Sequence, residues 1–112
     1  MPSKAVGLAS IKPIILSILA KKDSYGYEIM KQAAELSEGG LNMETGQLYP
    51  ILRSLEREEL IASYWHQPEG ERKRRYYSLT PKGMKALEDE KRQWLKMHAV
   101  LMRLWGDEPL FV

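Results

Sequence analysis

Four consecutive cations, Arg72, Lys73, Arg74 and Arg75, run directly into the aromatic, β-prone stretch Tyr76-Tyr77-Ser78-Leu79. Guanidinium and ammonium groups concentrated in this way suit one chemistry above others, the neutralisation of phosphates. Upstream, Pro68-Glu69-Gly70-Glu71 supplies a turn and Ile61 to Gln67 a partner strand, so the cations lie at the tip of a hairpin. A charge run also fits a plain solvated face. Strand alternation, however, sets two of the four on one face and lets one of Tyr76 and Tyr77 pack inward. Arg72, Lys73 and Arg74 are the phosphate contacts that this reading selects.

A second set is spaced for a helix. With Leu48, Ile51, Leu52 and Leu55 turned inward at i, i+3, i+4 and i+7, the outward face carries Thr45, Gln47, Tyr49, Arg53, Ser54 and Arg57. Gln can bond adenine bidentately, Thr can donate, accept or touch a thymine methyl, and Arg53 is placed for a phosphate or a guanine. The bland alternative, an ordinary solvated helix face, fits the same pattern. A third set is Tyr25-Gly26-Tyr27-Glu28-Ile29, where Gly26 permits close approach of another backbone. Tyr27 could bond a phosphate beside helix N–H groups that already favour anions, or it could simply pack. Enzyme chemistry finds no footing: there are no cysteines, only His66 and His98 as histidines, and no P-loop, nucleophile elbow or paired carboxylates.

The elements that must position these sets follow from periodicity. Ile11, Ile14, Ile15, Ile18 and Leu19 form one face of a first helix ending near Lys21–Lys22. Asp23 or Ser24 is an N-cap for a second helix, roughly Tyr25 to Ser37, with Tyr25, Ile29, Ala33 and Leu36 inward; Gly39-Gly40 stops it. Glu44 or Thr45 opens the third, which Pro50 should tighten or bend at its start. After the hairpin, Thr80-Pro81 starts a fourth helix of about 25 residues, with a hydroxyl N-cap and proline at the first helical position. The expected fold is mainly α with a small β-hairpin: a winged helix-turn-helix over residues 1–79 and a long C-terminal dimerisation helix over 80–112, as one compact unit.

The bulk numbers agree with one soluble domain. The chain has 112 residues, 44% of them hydrophobic and 29% charged, and a net charge of +2, so the distribution of charge matters more than its sum. Without cysteine no disulfide or Cys-based metal site is possible, and no metal or other cofactor is expected. The apolar run Pro13 to Ala20 is too short to cross a bilayer and lacks a signal-peptide cleavage pattern, so the expected location is the cytoplasm.

In the fourth helix Leu87, Trp94 and Leu101 recur every seven residues, as do Met84, Lys91, His98 and Trp105. With Met97 and Leu104 they make an apolar seam of a/d-like spacing. The first three helices already serve a small core, so the seam suggests a homodimer, and symmetric duplex sites are bound by symmetric dimers. Trp94 either packs that interface or, if the seam is splayed, faces its copy across a flat slot able to stack a planar ligand, with Lys91 and His98 nearby.

Three ordered blocks resemble the PadR family of transcriptional regulators: Tyr25-Gly26-Tyr27-Glu28-Ile29, Leu48-Tyr49-Pro50-Ile51-Leu52-Arg53-Ser54-Leu55-Glu56, and Arg74-Arg75-Tyr76-Tyr77-Ser78-Leu79-Thr80-Pro81-Lys82-Gly83. The likeness covers about residues 9–105 and matches the compact branch with a single C-terminal dimerisation helix. It implies a homodimeric repressor of a palindromic double-stranded operator, relieved by an effector. In some compact members the effector is a planar hydrophobic small molecule held at the dimer centre. The resemblance puts Trp94 at that centre, flanked by Ala9, Lys12, Leu87, Lys91 and His98. Here Lys12, Lys91 and His98 make the slot basic, which disfavours cationic drugs. Glu59 stands where the family usually has glycine, so the third helix must end without a residue suited to the left-handed conformation, or run on. Gln47 stands where threonine is common, which alters base preference. The rival reading is a small-molecule binding protein with an incidental winged-helix scaffold.

Overall fold

A computed structural model describes residues 8–106, with side chains from Ile11 onward. Seven elements follow one another: α1 (Leu8–Lys21), β1 (Ser24–Tyr25), α2 (Gly26–Leu36), α3 (Thr45–Arg57), β2 (Ile61–His66), β3 (Arg74–Leu79) and α4 (Pro81–Trp105). The expected mainly helical fold with a hairpin is present. The apolar face of α1 is buried through Ile11, Ile15, Ile18 and Leu19, and that of α3 through Leu48, Leu52 and Leu55. Ile29 and Ala33 of α2 meet them, together with Leu60, Ile61, Tyr77 and Leu87 from the later elements.

The start of α2 departs from the sequence expectation. Neither Asp23 nor Ser24 is the N-cap: that position falls on Tyr25, whose side chain caps nothing, and Ser24 and Tyr25 form a third antiparallel strand, pairing with Tyr77 and Tyr76 in the order β1-β3-β2. The strand covers the otherwise open edge of β3. The inward residues of α2 are therefore Gly26, Ile29 and Ala33. Tyr25 is half-buried in the sheet, while Leu36 lies in the last turn, beyond the core, and is exposed.

The end of α3 decides between the two alternatives for Glu59. Glu59 itself adopts the left-handed conformation, with φ +65°. Its N–H donates to Glu56 O (2.9 Å), and that of Leu60 to Leu55 O (3.0 Å). Those two bonds make a Schellman closure with glutamate in glycine's usual place. The helix does not run on: it ends, as the first alternative has it, without a residue suited to the left-handed conformation, and imposes that conformation on a side chain that resists it.

The hairpin pairs Ile61 with Leu79 through to His66 with Arg74. Gly70 turns it at φ +79°, and Glu71 N–H donates to Pro68 O at 3.0 Å. Alternation sends Ile61, Ser63 and Trp65 to the face shared with Arg75, Tyr77 and Leu79. Tyr77 is the inward tyrosine, 5% exposed.

Thr80 caps α4 as its sequence requires, its Oγ1 accepting from Gly83 N–H at 2.9 Å. The same hydroxyl donates to the end of α3, lying 2.7 Å from Glu59 O and 2.9 Å from Leu60 O. Gly83 is buried against that carbonyl: a Cβ there would stand 2.0 Å from Leu60 O. Leu87 is buried in the chain's own core. The first turns of α4 therefore do serve the core, contrary to expectation, and every residue from Lys91 to Val100 is exposed.

Candidate nucleic-acid interface

Where the N-terminus of α2, the middle of α3 and the hairpin meet, they enclose an open groove of about 840 Å³. Six of the residues selected from sequence line it: Tyr27, Tyr49, Arg53, Arg72, Lys73 and Arg74. Thr45 and Gln47 do not; they lie on the exposed first turn of α3.

Each element presents its side chains for a local reason. Tyr27 follows the extended Tyr25 and stands on the first turn of α2, 65% exposed. Gly26 admits a side chain and not, as expected, a backbone: a Cβ at 26 would lie 2.2 Å from the Tyr49 hydroxyl oxygen. Tyr49 is consequently half-buried and braces α3 against the start of α2. Gln47 is also less free than its exposed position suggests. Its Oε1 accepts the Glu44 backbone N–H at 3.0 Å, closing the first turn of α3. A bidentate grip on adenine needs that oxygen, and while the cap holds one of its two lone pairs is taken and the amide plane is fixed by the turn.

The four cations divide sharply. Arg75 donates to Ser63 Oγ (2.8 Å) and lies 3.5 Å from Glu56, whose carboxylate also accepts from Ser63 (2.6 Å). This triangle fastens the hairpin to α3. Arg74 pairs with Glu71 and lies over the Tyr25 ring, 4.5 Å from its centroid, so it is partly committed within the hairpin. Among the described residues Arg53, Arg72 and Lys73 make no salt bridge. Lys73 Nζ sits 5.7 Å from the centre of the Trp65 ring.

The back of the sheet is stiffened by stacked rings. Tyr64 and Tyr76 lie 5.8 Å apart and nearly parallel, and Tyr25 and His66 meet Tyr76 edge-on at 5.3 Å. The Tyr64 hydroxyl donates to Asp23 at 2.6 Å, and this bond, with some burial, pushes its pKa up to about 12. Burial likewise raises that of Tyr77.

Tyr25, Glu56, Trp65 and Arg75 also line the groove and were not selected from sequence. For Trp65 the signal existed: Ile61 points inward, so Ser63 and Trp65 must share its face. The engagement of Glu56 with Ser63 joins separate elements and left no local trace.

The set around Trp94 lies elsewhere. Trp94 is 49% exposed and borders an apolar groove of about 470 Å³ between α1 and α2, lined by Pro13, Ile14, Ile18, Ala33, Leu36 and Leu41 among others. Lys12 pairs with Glu90 (3.9 Å) and Lys91 with Glu88 (3.3 Å). Both cations have acidic partners, so the expected basic character of this region is largely neutralised. Leu87 is enclosed in the core and His98 is exposed, whereas the Ala9 side chain lies outside the described residues. Further along α4, Met97, Leu104 and Trp105 are exposed and Leu101 is half-buried. No helix among the described residues is long and apolar enough to cross a membrane.

Residues 15–89 match the model of the Transcriptional regulator PadR-like family. The transcriptional regulator YqjI of Escherichia coli is 33% identical over 87 residues, which are 78% of this chain but 40% of that protein. A PadR family transcription regulator from Clostridium difficile is 41% identical, with a TM-score of 0.76 over 86% of this chain and 98% of the other. A PadR-like transcriptional regulator from Bacillus cereus superposes with a TM-score of 0.78 at 28% identity, over 94% and 96% of the two chains.

Proposed function

The chain belongs to the PadR-like family of transcriptional regulators, and on that premise we propose that it is a homodimeric repressor gripping a palindromic duplex. The observation that carries this reading is the convergence of Tyr27, Tyr49, Arg53, Arg72 and Lys73 on one groove. Among the described residues Arg53, Arg72 and Lys73 are the cations there without an acidic partner, so they take phosphates; Arg74, half held by Glu71, adds a weaker contact. Tyr27 donates to a phosphate from the head of α2. The first turn of α3 enters the major groove with Thr45 foremost, and Gln47 reads a base with its amide nitrogen or by leaving its cap.

Dimerisation is supported by two complementary surfaces. The distal half of α4 exposes Met97, Leu104 and Trp105, and each chain also carries the open apolar groove between α1 and α2. A two-fold pairing lets the helix of one protomer cover apolar surface on the other, as isologous interfaces do. Trp94 lies at the edge of that groove, and a planar ligand intercalated there would change how the two helices meet and so the spacing of the two hairpins. That is the proposed route of relief. Such a regulator acts in the cytoplasm, on the chromosome.

The test is selection of fragments from genomic DNA with the purified protein, alongside measurement of its mass in solution. Enriched sites with two-fold symmetry and half-sites about 10 base pairs apart, bound by a dimer, are expected. A monomer, or no enrichment at low salt, overturns the reading. The second reading, a small-molecule binding protein, rests on the apolar groove beside Trp94. It requires planar compounds to bind with no enrichment of any DNA.

A further inference from the structure

We infer that Trp65 is a DNA-contacting residue of the hairpin, packing its indole on the deoxyribose surface between two phosphates; this rests on the duplex-binding reading above. The strand sets its direction. Ile61, Ser63 and Trp65 share the face turned to α3, and their burial falls along the strand as the cover of α3 runs out. Ile61 is 2% exposed, Ser63 is held by Glu56, and Trp65 is 60% exposed and outside the core cluster. The indole therefore contributes little to the fold while leaving a large apolar surface in water.

Its surroundings identify the partner. Trp65 lines the same groove as Tyr27, Arg53 and Arg72, opposes Arg75 across the sheet, and has Lys73 Nζ 5.7 Å from its ring centre. An apolar plate with the Lys73 ammonium at its face, and Arg53 and Arg72 in the same groove, is poorly suited to an apolar peptide or a cationic drug. It complements a surface on which apolar sugar alternates with anionic phosphate, and a duplex backbone is such a surface. The indole N–H adds a donor at the ring edge, chemically matched to a phosphate oxygen. The Lys73–Trp65 pair is already assembled, so ammonium and ring are presented together with little side-chain ordering left to do.

The experiment uses the full chain and a mixed-sequence duplex of about 30 base pairs, long enough for two half-sites. Trp65→Ala should weaken binding about tenfold, with an unchanged slope of log affinity against log salt because no charge is lost. Lys73→Ala should lower the magnitude of that slope by about 1 per protomer. The change in tryptophan emission on adding duplex should shrink in Trp65→Phe, with any remainder coming from Trp94 and Trp105 on α4. Wild-type affinity in Trp65→Ala, or an emission change of undiminished size in Trp65→Phe, overturns the inference and leaves duplex binding standing. Failure of the wild type to bind any duplex at about 50 mM salt overturns both. A Trp65→Ala variant that does not fold contradicts the exposure argued above.

Discussion

Replacing Gly83 with alanine tests how the hairpin is joined to the long helix. The new Cβ would lie 2.0 Å from Leu60 O and 2.7 Å from a Leu79 methyl. Ordinary contact begins near 3.4 Å, so the first turn of α4 must withdraw from the end of α3 by about 1.4 Å. The obstacle is a backbone carbonyl, which cannot swing aside as a side chain would. The same movement stretches Thr80 N–H to Leu60 O, now 3.1 Å, and the bond of Thr80 Oγ1 to that oxygen, now 2.9 Å. Overpacking contributes about 1–3 kcal/mol and each weakened hydrogen bond about 1 kcal/mol. The better helix propensity of alanine offsets about 1 kcal/mol, leaving a net loss of about 3 kcal/mol. With a urea slope of about 2 kcal/mol/M, the unfolding midpoint should fall by about 1.5 M. Gly46→Ala is the control: it lies in the first turn of α3 with nothing within 4 Å of the added Cβ, and should not destabilise. A Gly83→Ala midpoint equal to that of the wild type would refute the reasoning.

Glu59→Gly should stabilise the protein by about 1 kcal/mol, since glycine holds the left-handed conformation without strain. The Lys82 contact it forfeits is 4.0 Å long and exposed, so it contributes little. Thermal unfolding should show a melting temperature about 4 °C higher, and a lower one contradicts the account. For Tyr64 the hydrogen bond to Asp23 favours the neutral phenol in the folded state, raising the pKa from 10.0 to about 12. The stability this supplies is complete below pH 10 and is lost as pH rises through about 12. The stability gap between wild type and Tyr64→Phe should therefore be constant at neutral pH and close across that alkaline window, and a gap that widens there is the contrary result.

Much of this molecule was legible because its signals are periodic and local. Apolar spacing located α1, α3 and α4, and Thr80-Pro81-Lys82-Gly83 marked a helix start that the structure reproduces to the capping bond. What escaped is non-local. The two residues of β1 are too few to alternate, and their partners, Tyr76 and Tyr77, lie far along the chain. Tyr49 reads as an outward residue of α3 until Gly26 is seen to receive its hydroxyl. Gln47 reads as free until its oxygen is found on Glu44 N–H, and Lys12 as uncompensated until Glu90 of α4 lies beside it. The cation run shows the same limit within four residues. Arg74 and Arg75 are engaged by acids, and among the described residues Arg72 and Lys73 are not. Folding turned four equal charges into two structural ones and two available ones.

The claim that the groove binds phosphates through Arg53, Arg72 and Lys73 is tested most directly by the salt dependence of duplex affinity. Each phosphate neutralised contributes about 0.9 to the slope of log affinity against log salt. Replacing all three residues with alanine should therefore lower its magnitude by about 2.7 per protomer and weaken binding at every salt concentration. An unchanged slope and affinity in the triple variant would contradict the account.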